Sequence, residues 1–162
     1  MLLCMGTDAG RGWNAFNHAK SETENADDEL CSDRHDGCVA ATRTRTPHEF
    51  FSGNPFALAV FENVRAIVDR LGPIEVRVSK SQVAFRLRRG FAYLWIPGQY
   101  LRQPTAEVVL SIALGRLEES PRFKEVAHPA PAEWMHHLEI HQLGDLDDEV
   151  ANWLREAAER AR

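Results

Sequence analysis

The sequence predicts an α+β domain: a helix, a mainly antiparallel sheet of five or six strands, then a C-terminal helix, with both helices packed on the sheet. Three observations predict it. An apolar period of three to four residues runs up to Gly72-Pro73, a period of two runs from there to Ile140, and the helical period returns after Asp145.

The chain has 162 residues and a compositional seam near Thr46. Residues 1–46 carry five Lys/Arg against eight Asp/Glu, include the run Asp27-Asp28-Glu29, and hold only Trp13 and Phe16 as aromatics. No helical or strand period is sustained there, so a disordered acidic arm is expected at 1–46 and a single α+β domain at 47–162. The opening Met1-Leu2-Leu3-Cys4-Met5 lacks the basic and apolar regions of a signal peptide.

Thr46-Pro47-His48-Glu49 places Thr at an N-cap, Pro at the first helical position and Glu at the third, a capping box. Asn54-Pro55 offers a second start. Phe56, Val60, Val64, Ile67 and Leu71 then recur on one helical face, and Gly72-Pro73 ends the helix, Gly taking a left-handed cap. Ile74, Val76 and Val78 alternate with polar residues, Ser79-Lys80-Ser81 turns the chain, and Val83, Phe85 and Leu87 alternate again. That pattern is a hairpin with one dry face. Phe91–Ile96 is apolar on both faces, as a central strand should be. Further strands are expected at Glu107–Leu114, Lys124–His128 and Trp134–Ile140. In the last helix Asp145 is the expected cap, and Leu146, Val150, Trp153, Leu154, Ala157 and Ala161 form the apolar stripe.

Composition narrows the function classes. The chain is 44% hydrophobic and 27% charged with net charge −5, which excludes a fibrous chain and a general coater of DNA. No apolar run is long enough to span a bilayer, so no membrane partner is expected. Three cysteines make no disulfide framework, and a reducing, cytoplasmic setting is expected.

Several stretches stand together in order: Leu71–Arg86, Arg89–Ala92, Ser120–Val126, His136–Glu139, Asp145–Asp147 and Trp153–Ala157. With them the chain resembles the bacterial family catalogued as domain of unknown function 5655, over about residues 47–161. The resemblance implies a fold and no established activity. Some members of that family carry a Cys-x-x-Cys zinc segment ahead of the domain. The arm here has Cys4, His18, Cys31, His35 and Cys38 but no Cys-x-x-Cys, and neither a metal nor a cofactor is expected.

Charge is distributed unevenly. Residues 73–106 hold Arg77, Lys80, Arg86, Arg88, Arg89 and Arg102 against Glu75 alone, a block of +5, so the other 128 residues sum to −10. Arginines on the polar side of strands, beside Tyr93 and Trp95, suit phosphate groups; they also suit a plain solvated face. The Ser79-Lys80-Ser81 turn can hold an anion on backbone N–H groups or serve only as a turn. In the last strand, alternation separates His136 from His137 and sets His137, Glu139 and His141 on one face, a spacing open to a metal. A structural role for His136, and an arginine partner for Glu139, is the favoured reading.

The reading favoured by these features is a non-catalytic binding or accessory module for an anionic small molecule or a nucleic-acid backbone. Its expected anchors are Lys80, Arg86, Arg122, Lys124, His137 and Glu139, with Trp95 as a wall. One alternative is a small metal-dependent or acid–base hydrolase using His137 and Glu139, and a second is a protein-docking domain.

Overall fold

The structure, a computed structural model, describes residues 45–162. The expectations for the acidic arm and for Cys4, His18, Cys31, His35 and Cys38 lie outside the described residues. Two helices lead in, α1 (Pro47–Phe50) and α2 (Pro55–Val68). Six strands follow: β1 (Glu75–Val78), β2 (Val83–Arg86), β3 (Gly90–Trp95), β4 (Val108–Leu114), β5 (Phe123–Ala130) and β6 (Glu133–Ile140). Helix α3 (Asp148–Arg160) closes the fold. The strands form one sheet in the order β1-β2-β3-β4-β6-β5, and every neighbouring pair is antiparallel.

The capping box forms as the residues require. Glu49 N–H donates to Thr46 Oγ1 at 3.2 Å, and Thr46 N–H donates to Glu49 Oε2 at 2.8 Å. Asn54 Oδ1 caps α2 by accepting from Ala57 N–H at 2.9 Å. The buried face of α2 is Ala57, Val60, Phe61, Val64 and Val68; Phe56, Ile67 and Leu71 lie half-buried beside it. The true stripe is therefore rotated from the expected one, because Phe61 packs inward against the Phe85 ring at 5.9 Å. Gly72 ends the segment at φ 126°, ψ −171°, an extended positive-φ conformation rather than the left-handed cap, and one that L side chains rarely adopt.

One face of the sheet carries the helices. Val83, Phe85, Leu94, Leu110, Ile112 and Leu138 point to it and are buried with Val60, Val64, Val150 and Leu154 in a single core. Helix α3 contributes Val150, Trp153, Leu154, Ala157 and Ala158, as its stripe predicts. Its cap is Asp147, whose carboxylate accepts from Val150 N–H at 3.1 Å, and not Asp145. Asp145 instead accepts the backbone N–H groups of His141 and Gln142 at 2.9 and 3.1 Å, holding the turn that precedes α3. No helix among the described residues is long and apolar enough to cross a membrane.

Candidate functional site

The second face of the sheet carries a row of polar and aromatic side chains. Because strand side chains alternate, the register sets Arg77, Ala84, Tyr93, Ser111, His137 and Glu125 in one row across all six strands. The next row contains Trp95, Val109 and Glu139.

At the centre of that face, Trp95 Nε1–H donates to Ser111 Oγ at 2.9 Å, and Ser111 Oγ lies 2.7 Å from His137 Nδ1. The Trp95 and His137 rings meet edge to face at 6.3 Å. All three residues are at most 1% exposed. The linked bonds give a buried polar chain across β3, β4 and β6, the kind that fixes a sheet's register. Ser111 was absent from the expected site. Its signal was one hydroxyl inside the apolar run Val108-Val-Leu-Ser-Ile-Ala-Leu114. Glu125 was absent too; it stands opposite His137, and burial raises its carboxyl above the usual value.

His136 points the other way, into the helix-side core. Its Nε2 accepts from Glu118 N–H at 3.0 Å and its Nδ1 lies 3.1 Å from Trp134 O. Burial holds its pKa below the ordinary imidazole value. The split of His136 from His137 is as alternation predicts.

At the β5–β6 edge, a cleft of about 380 Å³ is lined by Arg122, Phe123, Lys124, Glu139, His141 and Asp145, among others. Arg122 is clamped there. Nη1 donates to Asp147 at 2.9 Å and to Glu149 at 2.7 Å, Nη2 donates to Asp145 O at 2.6 Å, and the guanidinium lies 5.6 Å from the Trp153 ring centre. Burial opposes ionisation of Asp147, but Arg122 and the Val150 N–H outweigh it and keep the carboxyl below its usual value. Glu139 accepts from Thr105 Oγ1 and stands 3.8 Å from Lys124 Nζ and 3.7 Å from His141 Nε2. Its partners are thus Thr105, Lys124 and His141 rather than an arginine.

The expected anchors divide into three groups. Arg122, Lys124 and Glu139 share the cleft, Trp95 and His137 are buried mid-sheet, and Lys80 and Arg86 belong to the β1–β2 hairpin. Four strand spacings separate β2 from β5, about 19 Å, so the seven do not line one concavity. His137, Glu139 and His141 share a face, but Ser111 holds the first and Thr105 the second. No group of three His, Cys, Asp or Glu among the described residues is placed to hold a metal. In the Ser79–Ser81 turn the N–H groups of Ser81 and Gln82 already donate to Ser79 Oγ, at 3.3 and 3.1 Å. Those hydroxyl bonds are spent within the turn, and Lys80 in it is exposed, with no carboxylate within ion-pair distance among the described residues.

The cations of the two sheet edges differ in their partners. Arg116 meets Glu118 and Glu156, Arg122 meets Asp147 and Glu149, and Lys124 meets Glu139. Among the described residues, none of Arg77, Lys80, Arg86 and Arg88 has a carboxylate within ion-pair distance. Arg77, Lys80 and Arg88 are exposed and Arg86 is half-buried.

Residues 48–160 match the model of a family described as a domain of unknown function (DUF5655). No curated protein and no solved structure matches the chain.

Proposed function

Because the chain belongs to that family of unknown function, we propose a function from its geometry: a non-catalytic binding module that takes an anionic ligand on the β1–β2 hairpin. The observation that carries this reading is the set of cations at Arg77, Lys80, Arg86 and Arg88 that have no carboxylate within ion-pair distance among the described residues, in a protein whose net charge is −5. An acidic protein has carboxylates to spare, and they neutralise the opposite edge of the sheet. A cluster left unneutralised concentrates positive potential and favours an anion. The site is narrower than the sequence suggested. It keeps Lys80 and Arg86, adds Arg77 and Arg88, and leaves Arg122 and Lys124 to their own carboxylates.

The test is titration of the protein with phosphate-bearing ligands by calorimetry, at low salt and again at about physiological ionic strength. Binding that weakens with salt, and weakens further in Arg77→Ala and Arg86→Ala, is the expected result. Absence of binding at low salt would sink the proposal.

One observation favours a second reading, hydrolysis. The 2.7 Å contact between Ser111 Oγ and His137 Nδ1 joins a nucleophile to a base. That hydrolase would use Ser111 with His137, rather than His137 with Glu139. A serine-directed phosphonate probe that labels the protein, but not Ser111→Ala, would favour it over binding alone.

A further inference from the structure

We infer that the hairpin takes a chain of phosphates rather than a single one, and reads its charge without reading bases; this rests on the anion-binding reading above. Among the described residues, the cations without a carboxylate partner follow one another along the hairpin in the order Arg88, Arg86, Arg77, Lys80. Arg88 lies in the connection after β2, Arg86 ends β2, Arg77 sits inside β1 and Lys80 occupies the turn at the far end. Arg86 is level with Glu75, and Arg77 is level with Ala84. Arg77 and Arg86 therefore share the second face, one two-residue step apart, roughly 7 Å along the strands. From the level of Arg86 to Lys80 is five residues, roughly 17 Å.

Long arginine side chains can bring Arg77 and Arg86 onto one phosphate, but such a ligand leaves Lys80 and Arg88 unused. A flexible polyanion with charge at every repeat engages the whole line. The aromatic neighbours contribute no stacking surface, since Tyr93 is 8% exposed and Trp95 1%. Modules that hold bare single strands usually stack bases on several open rings; beside the hairpin the Tyr93 and Trp95 rings are covered, and the exposed Tyr100 ring meets Trp95 at 6.2 Å beyond β3. Glu75, opposite Arg86, is the one acid in the line and opposes the ligand. Inorganic polyphosphate and a nucleic-acid strand share the required chemistry, and the test separates them.

The full chain is titrated with inorganic phosphate, tripolyphosphate, long polyphosphate, oligo-dA and oligo-dT of matched charge, and polyglutamate. Affinity is expected to rise roughly tenfold or more from tripolyphosphate to the long chains, with a salt slope of about −2 to −3 for three or four phosphate contacts. Oligo-dA and oligo-dT should bind within about threefold of each other, since stacking does not select between them. Arg77→Glu and Lys80→Glu, both at exposed positions, should weaken the long ligands, and Glu75→Gln should strengthen them. Preference for polyphosphate or for the oligonucleotides identifies the source and supports the inference either way. Inorganic phosphate binding as tightly as the chains overturns it while leaving the anion site. Strong selection of dA over dT, or polyglutamate binding equally well, also overturns it. Failure of every ligand to bind removes the underlying reading as well.

Discussion

At the scale of single residues, close approaches decide more than propensities. A Cβ at Gly90 would sit 2.3 Å from Tyr93 Oη and 2.8 Å from Cζ, so the missing side chain makes room for the ring. Gly90→Ala is expected to cost about 1–3 kcal/mol in denaturant unfolding. Much of that cost should disappear in the Gly90→Ala/Tyr93→Ala background, and an undiminished cost there would show that the ring is not the obstacle. Ser111→Ala removes the hydroxyl that accepts from Trp95 Nε1–H, and a loss of about 1–3 kcal/mol in denaturant unfolding is expected. His136 carries a pH signature. Burial holds its folded pKa below the unfolded value, so its contribution is full above about pH 6.5. As pH falls from there toward the folded pKa, the unfolded chain binds the proton first and stability declines. His136→Gln should flatten that limb of the stability profile, and a limb that persists would assign it elsewhere. Alternation separated the two histidines from sequence alone, but their partners Glu118, in the connection after β4, and Ser111, in β4, lie 18 and 26 residues away in the chain.

At the scale of elements, Arg122 just before β5 is tied to the turn and the first residues of α3. Asp147 caps the helix through Val150 N–H and holds Arg122 at the same time. Asp147→Ala is expected to cost about 1–2 kcal/mol from the cap, with part of its effect shared with Arg122→Ala in a double-mutant cycle. Strict additivity of the two would mean that the clamp contributes nothing. The carboxyls of Asp145 and Asp147 are both opposed by burial, yet backbone donors, with Arg122 at Asp147, keep both below their usual value. Their contribution is present above about pH 3.9 and is lost as pH falls through the folded values. The Arg116–Glu156 pair, by contrast, is half-exposed and bidentate at 3.0 and 2.9 Å, and is worth under about 1 kcal/mol. Helix α3 was readable as an element because its stripe depends only on local period. Its cap was misplaced by two residues because Asp145, Asp147 and Asp148 are all suitable caps, and only the turn at Leu143–Asp145 decides between them.

At the scale of the whole molecule, the sheet sorts charge. Carboxylates tie Arg122 before β5 to the start of α3 and Lys124 of β5 to β6, while the cations of the β1–β2 hairpin have no such partner among the described residues. Acidification should therefore lower the stability of the domain in two ranges, a shallow loss below about pH 6.5 from His136 and a further one below about pH 3.9 from Asp145 and Asp147. Chemical denaturation across pH measures both, and a single late transition would contradict the His136 assignment. Glu125 has the opposite sign. Its raised carboxyl is favoured protonated, so stability from this group is full below about pH 4.3 and lost as pH rises through the folded value. Glu125→Gln should then be more stable than the parent at neutral pH.

The sequence by itself determined the element order, the antiparallel character, the two-faced sheet and the basic block, because each depends on period or composition within a short window. The motifs read in order along the chain also pointed to the family whose model matches residues 48–160. Only the tertiary structure decided which candidate residues meet. The strand order carries Arg122, Lys124 and Glu139 to one edge and Lys80 and Arg86 toward the other, and it brings Ser111 to His137 in the centre. Such pairings are set by register between strands distant in the chain. A periodic pattern reports the face on which a side chain lies, and never the neighbour it will find there.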